Sequence, residues 1–181
     1  LLTEAEVKNI AGKLLGFVKA DDAMVNVQSS DASHLRFAAN SFTTSGRREE
    51  TRATVTVWID KKKGSDSGDQ LDDASLRALA AEAERLARLS PVDREYVPTL
   101  GPQKYKPVAR FVEATRDLAP AARARQINDV IARCRKEKVI GAGFHMASAE
   151  VSASATAHGN AFQERATTVG LSVTARTPDG T

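Results

Sequence analysis

At 181 residues, 41% hydrophobic and 27% charged, the chain has room for one ordinary globular domain, or one with a small lobe. Its single cysteine, Cys134, excludes an internal disulfide framework, and no run approaches the ~18 apolar residues that a membrane span requires. The net charge is +3 and the pI about 9.1, but acidic residues interleave with the basic clusters and aromatics make up only 5%, which argues against a nucleic-acid-binding stripe.

In chain order, Thr3-x-x-Glu6 is a capping box. Val7, Ile10, Ala11, Leu14 and Val18 follow at helical spacing, predicting a helix that ends near Ala20. Met24–Gln28 reads as a short strand and Ser29–Ser33 as a polar turn. His34–Asn40 and Thr51–Asp60 then read as a hairpin across a hydroxyl-rich turn, Ser41–Arg48, closed by Gly46. In its second strand Ala53, Val55, Val57 and Ile59 share one face, and Arg52, Thr54, Thr56 and Trp58 the other. That split predicts an antiparallel sheet with helices packed on one side.

Gly64–Gln70 reads as a flexible connection. A second helix follows, with Asp72 as N-cap and Leu76, Leu79, Ala80, Ala83, Leu86 and Ala87 as its inner stripe. From Ser90 to Pro107 four prolines and Gly101 break every periodicity, so this stretch is expected to cross the surface pinned by Tyr96 and Tyr105. Helical spacing resumes at Val108 in two pieces divided near Pro120. The longer piece carries Ala124, Ile127, Val130, Ile131 and Cys134 on one side. Strands are expected over Val139–Glu150 and Val151–Ala157, then a turn at His158-Gly159-Asn160, then Ala161–Arg165 and Thr167–Arg176. Val169, Leu171, Val173 and Ala175 should point inward. Residues 142–157 are unusually small-sided, which suits either close helix packing or an extended peptide added as a strand.

The expected architecture is therefore α+β, a mostly antiparallel sheet with helices on one face, its strand order open. It is divided as 1–89 (helix, three strands, helix), 90–107 (the proline-rich crossing) and 108–181 (helix, then antiparallel strands). No basic leader with an apolar core is present, and with the lone cysteine this points to the cytoplasm. The absence of an initiator Met and the closing turn Pro178-Asp179-Gly180-Thr181 suit a piece of a longer protein.

Catalytic patterns are lacking. His34, His145 and His158 have neither a following Glu nor a His four residues on, and the spacings among Cys134, His145 and His158 match no zinc repeat. Gly141-Ala142-Gly143 follows a helix and enters a strand, the wrong order for a phosphate cradle. Asp72-Asp73 and Glu49-Glu50 fall at a cap and a turn. No catalytic, cofactor-binding or metal-ligating residue is assigned.

Several pieces together resemble the TldD/PmbA proteins. They are Arg36-Phe37-Ala38-x-Asn40 with Thr44-Ser45-Gly46, Leu71-Asp72-Asp73-Ala74-Ser75-Leu76 with its alanine-rich helix, Leu89-Ser90-Pro91 through Gly101-Pro102-Gln103-Lys104-Tyr105, and the tail from Ala157-His158-Gly159. The resemblance implies the N-terminal α+β domain of a longer cytoplasmic, dimer-forming protein. In that family the TldD type is a zinc metallopeptidase acting on unfolded peptides, and the PmbA type a partner subunit without the metal motif. The family is also labelled a modulator of DNA gyrase. The metal motif, H-E-x-x-x-H, has no counterpart among these residues. Zinc is thus expected only in the full-length protein, and the implied partners are an extended or unfolded peptide and a second TldD/PmbA-type subunit.

Overall fold

A computed structural model describes residues 1–180. Its elements run α1 (Glu4–Phe17), β1 (Asp22–Ala38), β2 (Ser41–Ile59), β3 (Lys62–Gly68), α2 (Asp73–Leu89), α3 (Glu113–Arg116), α4 (Pro120–Lys136), β4 (Ile140–Thr156) and β5 (Ala161–Arg176). The strands form one antiparallel sheet in the order β3-β2-β1-β4-β5, an α+β fold. Contacts group the chain into two units, one of residues 1–29, 50–109 and 150–165, the other of residues 30–49, 110–149 and from 166 onward.

In the first unit α1 begins as the capping box requires: the Glu6 amide donates to the Thr3 hydroxyl (3.3 Å) and the Thr3 amide to the Glu6 carboxylate (2.7 Å). Val7, Ala11 and Leu14 of α1 and Leu76, Ala80, Ala83 and Ala87 of α2 are buried with Val25 and Val27 of β1, Val55 and Val57 of β2, and Val151 and Ala153 of β4. Each large aliphatic buried in this way contributes about 1.5–3 kcal/mol before ordering costs. Asp72 caps α2 through the amides of Ala74 and Ser75 (3.0 and 3.1 Å). Where α2 crosses β3 the strand carries Gly64, because a Cβ there would land on the Ala83 carbonyl and the Ala87 amide. In the second unit Pro120 sits in the first turn of α4, and Ile127 and Ile131 are buried with Phe37 of β1. Cys134 is buried against Gly141, where a Cβ would come within 2.7 Å of its sulfur.

The α2 stripe (with Leu86 half-buried), the burial of Ala53, Val55 and Val57, and the break at Pro120 stand as expected, whereas Thr56 on the other face of β2 is buried as well, its hydroxyl 3.0 Å from that of Ser65. Several boundaries do not. The first hairpin turns at Ala39–Asn40, not over Ser41–Arg48. Both residues are left-handed (φ 50° and 56°), the two-residue turn whose twist matches its flanking strands. Asn40 holds the turn by donating to the Val139 carbonyl and accepting from the Gly141 amide (2.8 Å each). Gly46 is an in-strand residue that leaves space for the His34 ring.

Ser29–Ser33 is strand as well, because its hydroxyls find partners in place: Ser29 accepts from the Leu2 amide (3.0 Å) and Ser33 donates to the Ala147 carbonyl (3.3 Å). Most of the expected connection at Gly64–Gln70 is β3, reached by a second left-handed pair, Asp60 and Lys61. Helix α1 stops at Phe17, short of Ala20. The pieces expected over 139–157 merge into β4, and those over 161–176 into β5. Val169, Leu171, Val173 and Ala175 are exposed, because β5 is the outermost strand and neither core cluster includes any of its side chains. The closing turn is present as far as Gly180, whose amide donates to Thr177 (2.9 Å); Thr181 lies outside the described residues.

Candidate functional site

The two edges of the sheet differ. At one, β3 is only seven residues long and rich in Lys, Ser and Asp; it is further closed by a bridge from Lys62 to Val92. Short, charged and covered edges resist pairing with another chain. At the other, β5 runs 16 residues. The segment before α3 meets it at Thr167, whose amide donates to the Arg110 carbonyl (2.9 Å) and whose hydroxyl accepts from the Val112 amide (3.0 Å). From 168 to 176 the outward backbone of β5 meets no partner among the described residues. Val169, Leu171 and Val173 on this stretch are 52%, 47% and 43% exposed.

Beside it the sheet carries a second apolar strip. Phe144 and Met146 of β4 stand exposed, with the His34 ring stacked on Phe144 (5.6 Å between centroids). The small-sided residues of β4 play a different part from a peptide-accepting strand. β4 lies between β1 and β5, so it has no free edge, and Ala147, Ala149, Val151 and Ala153 are buried. The stripe of small residues serves packing, and the open edge lies one strand further out.

A polar cluster lies in the first unit. Asp22, at the start of β1, is buried and accepts from the Tyr96 hydroxyl (3.0 Å), the Thr99 amide (2.7 Å) and hydroxyl (2.5 Å), and the Ala23 amide (2.8 Å). Burial pushes its pKa up, but these hydrogen bonds, led by those from Thr99, outweigh it and leave the carboxyl below the usual range. His158 brings Nδ1 to 3.2 Å from Asp22 and 3.0 Å from the Thr99 hydroxyl.

A hydroxyl, an imidazole and a carboxylate are thus together, but not as a relay. Thr99 donates directly to Asp22, and both meet the same ring nitrogen, whereas a nucleophile–base–orienter chain uses the two nitrogens separately. The cluster fastens the proline-rich crossing, which is held again where Tyr105 hydrogen-bonds Asn160 (2.7 Å) and packs its ring on Phe162. Both tyrosines therefore pin the segment as the sequence implied.

Cys134, His145 and His158 have separate neighbours. Cys134 packs on Gly141, His145 pairs with Gln126 (2.9 Å), and His158 faces Asp22. Among the described residues no three His, Cys, Asp or Glu side chains come together as metal ligands, so the zinc that the family resemblance implies finds no fitting donor set here. Of the basic clusters, Arg47 is engaged by Asp31 (2.6 Å) and Glu49 (2.9 Å), and Arg133 by Glu137 (3.1 Å).

The sequence matches no protein-family model and no curated protein. Solved structures do match. TldE from Thermococcus kodakarensis superposes with a TM-score of 0.79 over 96% of this chain at 16% identity. A candidate modulator of a DNA gyrase from Thermotoga maritima gives 0.74 over 94% at 14% identity, and another from Bacteroides thetaiotaomicron gives 0.68 over 94% at 15%. The chain has the TldD/PmbA fold. It spans 43%, 44% and 40% of those three chains, so the TldD/PmbA fold shared here is that of less than half of each. Within the TldD/PmbA fold the feature that sequence reading missed is the edge itself. Strand alternation in β5 was visible, but whether a strand is outermost depends on strand order, which no local pattern carries.

Proposed function

We propose that this chain is the substrate-side domain of a cytoplasmic TldD/PmbA-type metallopeptidase, taking part in the proteolysis of unfolded peptides while the metal motif lies elsewhere in the parent protein. The observation that carries this reading is the β5 edge, whose outward backbone groups meet no partner from 168 to 176 among the described residues and which carries the exposed Val169, Leu171 and Val173. An extended peptide adding there would be held by main-chain hydrogen bonds, which tolerate many sequences because every peptide has the same backbone. Alternate apolar side chains would supply a weaker preference.

The test uses a fluorescent, extended, uncharged peptide titrated against this chain. Leu171→Lys and Val173→Lys together should weaken binding at least tenfold, and a lysine placed on the β3 edge at Ser65 should not. Equal binding by all three proteins, or none by the unmodified chain, would overturn the reading. Zinc analysis and a cleavage assay on the full-length protein beside this chain test the parent's activity. Zinc and turnover are expected only in the former, and one bound zinc per chain in the latter would remove the assignment.

A second reading is that the same exposed apolar strand seats another subunit of a non-catalytic, PmbA-like partner. Association in solution that the same lysines abolish, without peptide binding, is the outcome that favours it. The names of two structural neighbours raise a gyrase-associated role, for which duplex binding that weakens steeply with salt is the required result.

A further inference from the structure

Six glycines lie within strands, and packing accounts for five of them. A Cβ at Gly46, Gly64, Gly68, Gly141 or Gly143 would come between 2.1 and 3.3 Å from a neighbouring atom. Gly170 of β5 is the exception. Its Cβ would meet only Cγ of Met146, at an ordinary 3.6 Å, and its φ is not positive. Glycine weakens a strand interior, and in strands it often marks the close approach of a ligand or another backbone.

The register of the edge places Gly170 further. Thr167 donates outward to the Arg110 carbonyl, so by alternation Val169, Leu171 and Val173 also direct their N–H and C=O outward. A strand added antiparallel would bond to those residues and face Gly170 across a non-hydrogen-bonded pair, the kind in which side chains come closest. Met146 stands behind Gly170 on the face away from α4, since His145 before it pairs with Gln126 of that helix (2.9 Å). Met146 is 39% exposed, and Thr168 and Ser172, the neighbours of Gly170 on that face, are too small to cover it. The rim of the sheet therefore has a notch, with bare backbone as its floor and a thioether as its inner wall. Residues 166–175 carry no charge, so an ionised side chain laid along them would find no counter-charge on β5.

We propose that Gly170, backed by Met146, is the specificity position of the β5 edge, and that the partner is an extended, uncharged peptide with an aromatic residue directly opposite it. The ring would lie over the glycine and reach the Met146 sulfur. Aromatic cover of a strand glycine and sulfur–ring contact are both favourable. Two strand spacings, about 9–10 Å, separate the peptide residue from Met146, a span that a long flat ring closes more fully than valine or leucine does. A second copy of β5 is the poorer occupant, because residues 168–176 contain no aromatic to bring to the notch. The inference rests on the reading of β5 as a peptide-binding edge and adds which residue that edge selects.

Two short, uncharged fluorescent peptides rich in Thr, Val and Ser, one with a central Phe and one with Leu in its place, are titrated against the whole chain. The Phe peptide is expected to bind about fivefold tighter. Gly170→Val, which puts a strand-compatible side chain into the notch, should bring the Phe peptide down to the level of the Leu peptide. If that variant fails to fold, the methyl resonances of the two methionines in the unmodified chain give the answer. The Met146 methyl should move upfield in the ring current of the Phe peptide and stay in place with the Leu peptide, and that of Met24 should move with neither. Equal binding of the two peptides, a preference that survives in Gly170→Val, or an unmoved Met146 methyl would each overturn the inference while leaving β5 as a peptide edge. Binding of neither peptide would overturn the edge reading and this inference with it.

Discussion

Asp22 shows how much a single side chain can hold. One carboxylate takes hydrogen bonds from three residues, two of them in a segment more than 70 positions further along the chain. Asp22→Ala would leave the Tyr96 and Thr99 donors without their acceptor, and a loss of about 3 kcal/mol in urea unfolding is expected. The pH dependence follows from the lowered pKa. The ionised Asp22 contributes stability that is complete above the ordinary carboxylate range and is lost as pH falls through its depressed folded value. Acid unfolding of Asp22→Asn should therefore be flatter than that of the unmodified chain below about pH 4.

None of this was legible in the sequence, because the partners of Asp22 are distant and a lone Asp after a helix has many uses. Arg123 is a different case. It lies in phase with Ile127, Ile131 and Cys134, so the stripe that marks the inner face of α4 passes through a cation. Glu84 falls likewise in phase with Leu76 and Ala80, and it is buried where it accepts from the Lys19 amide (2.6 Å). A periodicity drawn from apolar residues alone passes over such positions, although the phase itself would have found them.

Among the elements, the helix starts were the most readable, because a cap is written in residues three apart. Thr3→Ala should lower stability by about 1 kcal/mol, read from a thermal or urea transition. Turns were harder. A cluster of hydroxyls and a glycine looked like the first hairpin's turn, but the chain reverses two residues earlier on Ala39 and Asn40. Alanine is an unusual occupant of a left-handed position and announces nothing. Ala39→Gly should therefore stabilise the protein by up to about 1 kcal/mol, since the strain relieved exceeds the added freedom of the unfolded chain. Gly64→Ala should do the reverse and cost about 3 kcal/mol, because the new methyl group meets the backbone of α2, which has no room to give way.

At the scale of the molecule, the class of fold followed from alternation and amphipathic helices, whereas strand order and the identity of the open edge needed coordinates. That difference has a dynamic counterpart. Amides of β2 near Val55 and Val57, paired with β3 and buried under helices, should exchange with solvent orders of magnitude more slowly than those of residues 168–176. Comparable protection of the two segments would mean that the outer strand is covered in solution.

The division into two units has a consequence for anyone who would cut this protein into smaller working parts. The chain passes from one unit to the other at 29/30, 49/50, 109/110, 149/150 and 165/166. A break at 109/110 therefore leaves the leading half without the β4 residues Val151 and Ala153 that complete its core, and the trailing half without Phe37 beneath α4. Neither half carries a closed interior, so a single cut in the middle of the chain opens both units at once, whereas one at 165/166 spares every residue of the first.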